Sequence, residues 1–431
     1  MKNLLPGKLI QVTVEKTTYG GEGLARLDGR ALFIPYALPG EEVVVSLQED
    51  RGDYLRGRLV RVEHPSGCRR VPPCHFFPEC GGCQIQHQEY SAQLPSKAEI
   101  LLEMLHRQVK VQNFPDPQLI SGPEWGYRRN VRFQLSWGPT MQIGFYRPRS
   151  REVVDLTECP LLDPLLAASF TRCRSVLRDN IQTLRGEPVG MKAICSQEAE
   201  RIVYALLGRT RQRGEEPNVL SYFVDKDRQF RELPKGEIPT IEDQVGKWRF
   251  RMHPLAFFQS NCFLAPELLK RIDGYCRESV GKDVAVDLFA GAGFFSLSLA
   301  SHFNRTISVE QEPFAAGLAR ENARLNGIER IEWFHQPVES MLDEVGNRQA
   351  MMDLVLVDPP REGLSRKVSE WVLSRKPARI IYVSCSPPTL VRDVKRWLEP
   401  GIYHLSHLDC LDMFPQTYHL ETVMVLDRAN G

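Results

Sequence analysis

The stretch at 284–300, VAVDLFAGAGFFSLSLA, decides the fold. A short, nearly continuous apolar run enters Gly291 and Gly293 and leaves in an apolar helical repeat, which reads as a buried parallel strand, a tight turn and a helix. Three more strands of the same kind follow it, RTISVE (305–310), MDLVLVD (352–358) and ARIIYVS (378–384). Strands so short, β-branched and apolar on both faces belong to a sheet covered by helices on both sides. The region from 251 to 431 therefore reads as a Rossmann-like, doubly wound α/β domain.

The turn also narrows the ligand. A dinucleotide fingerprint needs G-x-G-x-x-G, but the third position holds Ser296, and no G-x-x-x-x-G-K-[ST] phosphate loop occurs. Asp287 precedes the turn, the glycines allow close backbone approach, and Glu310 ends the next strand, where it can accept hydrogen bonds from ribose hydroxyls. That set suits S-adenosylmethionine (AdoMet), which has no pyrophosphate. On this segment alone, a generic Rossmann-like turn stays open.

Working outward, the first sixty-odd residues change character. LIQVTVEK alternates apolar and polar positions, Gly20, Gly21 and Gly23 punctuate a turn, and ALFIPYALPG, EEVVVSLQED and YLRGRLVRVEHP follow. Four or five such strands suggest a small closed barrel over 1–65, either an OB-like RNA-binding barrel or another small β-domain. A central α+β region, 66–250, holds strand-like NVRFQLSW and MQIGFYRP and a helix over about 164–178. Ser96 and Glu99 form a capping box ahead of ILLEMLHRQV, so a helix is expected to start there, and the segment of about 95–115 is expected to pack on the catalytic domain.

The whole chain has 431 residues, 42% hydrophobic and 25% charged, with 55 Lys plus Arg against 54 Asp plus Glu. Those values exclude general disorder and a polybasic protein, though not a local basic face. MKNLLPGKLIQVTVEK has Leu4 and Leu5 but no signal-like apolar run, and nothing approaches the roughly 18 apolar residues of a membrane span. A cytoplasmic protein without a membrane association, and a monomer, is the expectation.

Of eleven cysteines, Cys68, Cys74, Cys80 and Cys83 fall close together. In a reducing compartment such a cluster reads as a metal or iron–sulfur site rather than a disulfide framework, and spacing alone does not separate zinc from iron–sulfur. Cys68 is a fifth nearby thiol and reads as a bystander.

Asp358 in LVLVDPPREG and Cys385 in IIYVSCSPPTLVRD each end a strand at the face where ligands sit in open α/β sheets. Taken singly, Cys385 is more often a small buried hydrophobe than a nucleophile. HLETVMVL begins a last strand with Glu421, preceded by His419. A thiol and a carboxylate beside a methyl donor have a specific use. Thiolate addition to carbon 6 of a pyrimidine makes carbon 5 nucleophilic, and a base must later remove the carbon-5 proton.

Together, DLFAGAG, DPPREG, YVSCSPPTLVRD and DMFPQTYHLETVMVL resemble the successive motifs of the TrmA/RumA-type RNA uracil-5-methyltransferases, in their usual order. FFQSN (257–261), the WGYRRNVRFQ segment and a TRAM-like first barrel extend the resemblance over nearly the whole chain. It implies Cys385 as nucleophile and Glu421 as proton-abstracting base, with Gln259, Phe289, Gly291, Glu310 and Asp358 at the AdoMet site. It also implies that Cys159, in VVDLTECPLL, joins Cys74, Cys80 and Cys83 on a [4Fe–4S] cluster. Phe294 and Pro337 depart from the pattern of relatives at two donor contacts.

Between 125 and 151, Arg128, Arg129, Arg132, Arg147, Arg149 and Arg151 interleave with Trp125, Tyr127, Phe133, Trp137, Phe145 and Tyr146. That pattern is either a strand pair with one aromatic and one charged face, or a surface that holds phosphates and stacks unpaired bases. The resemblance implies 5-methyluridine formation in RNA, with ribosomal RNA preferred over tRNA because a barrel and an iron–sulfur domain accompany the rRNA-modifying branch. A cytosine-5-methyltransferase would carry a cysteine where DPPREG stands. A redox-sensing RNA-binding protein with a dead transferase fold would not need Cys385 and Glu421.

Overall fold

The computed structural model describes residues 7–110, 114–138, 140–179, 188–208, 219–226, 229–234, 237–342 and 352–429. Leu4, Leu5 and positions 111–113 of the expected helical segment lie outside them.

In the first barrel, one segment occupies both edges of a six-stranded sheet. Leu9–Thr13 pairs antiparallel with Glu42–Asp50, and its continuation Lys16–Thr17 pairs with Glu22–Leu27. Between them the Val14 N–H donates to Glu41 O (2.9 Å) and the Glu15 N–H to Leu24 O (2.7 Å). The sheet thus rolls closed around Val14, Ala25, Leu32, Ile34, Val43, Val45 and Leu55, all buried. Closure leaves no free edge.

A seven-stranded antiparallel sheet forms the middle of the molecule, from Val153–Asp155 at one edge to Gln229–Glu232 at the other. Asn130–Ser136 alternates as a half-covered strand should: Val131, Phe133 and Leu135 are buried under the helix Pro164–Asp179, and Arg132 points away.

The third sheet has eight strands, in the order Ile331–His335, Arg305–Glu310, Val284–Leu288, Leu354–Val357, Arg379–Ser384, Glu421–Arg428, Tyr403–Leu411, Gln118–Ile120. The first five are mutually parallel, and Glu421–Arg428 runs antiparallel to its two neighbours. Apolar layers cover both faces, one including Leu390, Val394 and Trp397, the other Leu268, Ile272 and Leu297. The chain leaves Val284–Leu288 in one direction and returns at Leu354–Val357 to proceed in the other. This switch opens a crevice at the strands' carboxyl ends.

Two expectations need correction. The early helix spans Tyr90–Gln108, so it begins six residues before Ser96. Ser96 Oγ donates back to Ala92 O instead of capping. The helix contributes Leu94, Ala98, Leu101 and Leu105 to the transferase core, and the three-residue strand Gln118–Ile120 extends the transferase sheet. The 250/251 boundary falls inside the strand Trp248–Met252, whose hairpin with Ile241–Val245 packs into the same core.

Candidate active site

An antiparallel strand begins where its parallel neighbours end, so the first residue of Glu421–Arg428 arrives at the crevice. Ser384 pairs with Thr422, which sets Cys385 beside Glu421. Glu421 is 4% exposed. Burial, and then the nearby Asp358 carboxylate, hold its carboxyl well above the usual range. The Cys385 thiol is pushed up to about 12, first by burial and then by Glu421, with Asp358 adding to the rise and the Arg361 guanidinium opposing it. Cys385, Glu421, Asp358 and Arg361 therefore share one site. Sequence pattern alone does not place Arg361 beside Cys385; its one signal is a cation three residues after the strand-end carboxylate Asp358.

Asp358 lies at the switch point, its N–H donating to Leu288 O (3.3 Å). Burial and Asp287 push its carboxyl up to about 8. Asp287 is fully buried and is pushed up to about 7 by that burial. Ser308 Oγ donates to Ser296 Oγ, and Ser296 Oγ to Asp287 Oδ2 (2.5 Å), while Asp287 Oδ1 has no partner.

The turn is built as its glycines suggest. Phe289 (φ +68°), Gly291 (+54°) and Gly293 (+80°) all occupy the left-handed region, and a non-glycine there marks strain at a functional turn. Nothing lies within 4 Å of where a Cβ on Gly291 would project. Glu310 Oε2 accepts from the Gly291 N–H (2.7 Å) and Oε1 from the Glu312 N–H (2.8 Å). A carboxylate has about four acceptor positions, so two are left for a ribose diol. An open turn, spare acceptors on Glu310 and an orphaned acid beneath fit AdoMet. Gln259 is buried in the segment leading to the helix Ala265–Glu278, which Asn261 ties to Met413 O through its side-chain amide. Phe294 is a core residue, stacked on Phe250 with centroids 5.5 Å apart; Pro337 is exposed.

Cys74, Cys80, Cys83 and Cys159 line one pocket, otherwise walled largely by Phe76, Phe77, Phe145, Leu156 and Leu161; Cys68 is not among its lining residues. All four are free thiols. Burial raises Cys80, Cys83 and Cys159, the last to about 11, and neighbouring cysteines raise each further. Among the described residues no three His, Cys, Asp or Glu side chains are grouped to hold a single metal ion.

A groove joins this pocket's rim to the loop 412–420 that leads into Glu421 (the catalytic loop of the proposal below), lined by Arg128, Arg132, Arg147, Arg149 and Arg361 together with Tyr146 and Tyr418. Arg129, expected with them, is buried instead against Asp243. Strand alternation turns it inward. Phe133 is likewise core, and the Tyr127 hydroxyl donates to Pro415 O (3.0 Å) from a buried position. No helix of the described residues is long and apolar enough to cross a membrane.

Residues 4–60 match the TRAM domain family, and residues 237–429 match the tRNA (Uracil-5-)-methyltransferase family. An uncharacterized RNA methyltransferase of Aquifex aeolicus (strain VF5) is 34% identical over 439 residues, spanning 97% of this chain and 99% of that protein. The 23S rRNA (uracil(1939)-C(5))-methyltransferase RlmD of Salmonella choleraesuis (strain SC-B67) is 32% identical over 428 residues, spanning 98% and 96%. Among solved structures, the Pyrococcus abyssi tRNA (uracil-54, C5)-methyltransferase in complex with S-adenosyl-L-homocysteine shares the fold, with a TM-score of 0.71 at 23% identity over 97% of this chain and 100% of that one.

Proposed function

Because this chain belongs to the RNA (uracil-5-)-methyltransferase family and is an AdoMet-dependent enzyme that methylates uracil carbon 5 in RNA, we propose that Cys385 is its nucleophile, Glu421 its base and 23S rRNA its substrate. The observation that carries the two roles is the Ser384–Thr422 register, which brings thiol and carboxyl together at the crevice.

Gln259, Phe289, Gly291, Glu310 and Asp358 would hold the methyl donor. When bound, AdoMet supplies an electrophilic methyl group. Cys385 loses its proton to solvent and adds as the thiolate to carbon 6 of an extruded uracil, and the ring then carries an enolate whose carbon 5 is nucleophilic. A uracil inside a duplex hides both carbons, so the base must leave the stack. Arg361 favours the thiolate. Once carbon 5 carries both methyl and hydrogen, Glu421 removes the proton and Cys385 departs. The preference for rRNA rests on full-length similarity to the Salmonella enzyme, with a barrel and a cysteine-lined pocket beside the transferase fold. Arg128, Arg132, Arg147 and Arg149 form the phosphate-facing side of the RNA path.

The cysteine pocket is proposed to hold a [4Fe–4S] cluster. Its donor set is four thiols and little else polar. A single tetrahedral zinc needs sulfurs roughly 3.8 Å apart, from Zn–S bonds of about 2.3 Å. A cubane puts one thiolate on each of four irons and so takes a wider set. Cys74, Cys80, Cys83 and Cys159 would hold the group, which would link the 74–83 loop to Cys159.

The test of the mechanism divides the two residues. Glu421→Gln keeps the nucleophile and should accumulate an enzyme–RNA adduct that survives denaturing electrophoresis, and Cys385→Ala added to it should remove that adduct. Turnover by Cys385→Ala would exclude it as nucleophile. Mapping 5-methyluridine in rRNA and tRNA from cells lacking the gene decides the substrate.

A further inference from the structure

The barrel does not stand apart from the chemistry. Its Gly-rich turn, closed by Thr18 N–H to Glu22 O (2.8 Å) and Gly21 N–H to Thr18 O (3.0 Å), projects toward the catalytic face. Gly20 (φ +109°) and Gly21 (+79°) give the turn its shape. A Cβ on Gly21 would come within 3.0 Å of Ile85 and 3.6 Å of Tyr418, so the turn is seated tightly against Ile85 and in van der Waals contact with Tyr418. Ion pairs fix it from both sides: Lys16 to Glu103 on the helix Tyr90–Gln108, and Glu22 to Arg149 beside the basic groove.

Tyr19 sits at the tip. Its ring meets Tyr418 edge-on, with centroids 5.3 Å apart and planes at 81°. Tyr418 leans on His419 (4.3 Å), and His419 Nε2 lies 3.3 Å from Arg361 Nη2, so the aromatic series runs from the barrel to the guanidinium that serves Cys385. Tyr19 is close enough to Cys385 and Arg361 to be influenced by their charges, and its phenol interacts with Ser386, the residue after the nucleophile.

We propose that Tyr19 is a substrate-positioning residue donated by the barrel, and that its ring and that of Tyr418 wall the pocket in which the extruded pyrimidine is held over Cys385. A base pulled out of its stack loses the contacts of its neighbours, and aromatic side chains replace them. Tyr418 belongs to the transferase fold, but the ring that meets it edge-on comes from the barrel, 399 residues earlier in the chain. The inference rests on Cys385 as the nucleophile.

The experiment uses the full chain and total RNA from cells lacking the gene and grown with 5-fluorouracil, so that both rRNA and tRNA targets carry the trap. Fluorine cannot leave as a cation, so the covalent adduct persists and its rate of formation is read on gels. Tyr19→Ala should slow adduct formation by roughly 10- to 100-fold, the range expected for losing one base–aromatic contact. RNA affinity, measured in a Cys385→Ala background, should change by less than about threefold, a shift worth under half of one tenfold step in free energy. Tyr19→Phe keeps the ring and should retain most of the rate, whereas Tyr19→Leu fills the docking contact without a ring and should behave as Tyr19→Ala. If Tyr19→Leu matches wild type, the residue is only a docking contact and the proposal is wrong. An affinity loss equal to the rate loss would also overturn it, making Tyr19 a binding residue. Persistence of the adduct in Cys385→Ala would instead refute the nucleophile assignment itself.

Discussion

Burial drives the Cys385 thiol up to about 12, and among its charged neighbours Arg361 opposes the rise. Iodoacetamide labelling of Cys385, followed by mass spectrometry, should therefore quicken steadily between about pH 7 and pH 10, because the thiolate is the reactive form. Arg361→Gln removes the opposing cation, raises the thiol further and lowers the labelling rate at a fixed pH, by about tenfold for each unit of added shift. An unchanged rate would mean that Arg361 does not act on the thiol. Asp287 gives a stability prediction. Its folded-state value, about 7, lies above that of an unfolded aspartate, so its protonated form favours the folded chain at acid pH and that contribution is lost as pH rises through 7. Asp287→Asn should be more stable than wild type by about 1–3 kcal/mol near pH 8.5, and most of that gain should be gone near pH 4, where the unfolded aspartate is itself largely protonated. Denaturant melts at the two pH values measure it.

At the scale of elements, the helix Tyr90–Gln108 secures the loop 412–420 that leads into Glu421. Lys97 Nζ, buried, donates to Asp412 Oδ1 (2.7 Å) and Phe414 O (3.2 Å), and Gln93 and Gln416 exchange hydrogen bonds. Lys97→Met should cost about 3–5 kcal/mol, because Asp412 is left as a buried unpaired charge. Adding Asp412→Leu should recover most of that loss in urea melts; no recovery would show that packing rather than charge is at stake. This helix also shows where the sequence was legible and where it was not. Ser96 and Glu99 match a capping box, and Pro95 looks like a helix start, yet burial of Gln93 and Leu94 draws the helix back to Tyr90. The parallel strands were plain because both faces are covered and their apolar runs are nearly continuous. Gln118–Ile120 was not, since three largely exposed residues carry no period. The motifs single out Cys385 and Glu421, and the strand register sets them side by side, while Tyr19 lies in a turn whose glycines read as punctuation. Arg129 was misplaced because composition does not reveal which residue of a pair faces inward.

Across the whole molecule, the 69–90 segment meets every part. Arg69 pairs with the buried Glu41 of the barrel, Gly81 N–H donates to Tyr146 O of the central sheet, and Gln84 and Ile85 N–H groups donate to Gln416 O of the catalytic loop. A cluster among its thiols would hold that junction. Protein purified anaerobically should contain about four irons per chain, Cys159→Ala should lose them and Cys68→Ala should keep them. Stoichiometric zinc in colourless protein would exclude the cluster. The same long-range stitching sets a timetable for the nascent chain. Lys97 waits for a partner 315 residues later, and its helix must keep an apolar face uncovered until then. At about 5–20 residues per second, a ribosome takes roughly 15–60 s to supply the missing layer. During that interval the barrel can close behind the ribosome, but the transferase core cannot, so slowed translation or scarce chaperones should lead to aggregation of chains that have already made the barrel and still lack the final strands.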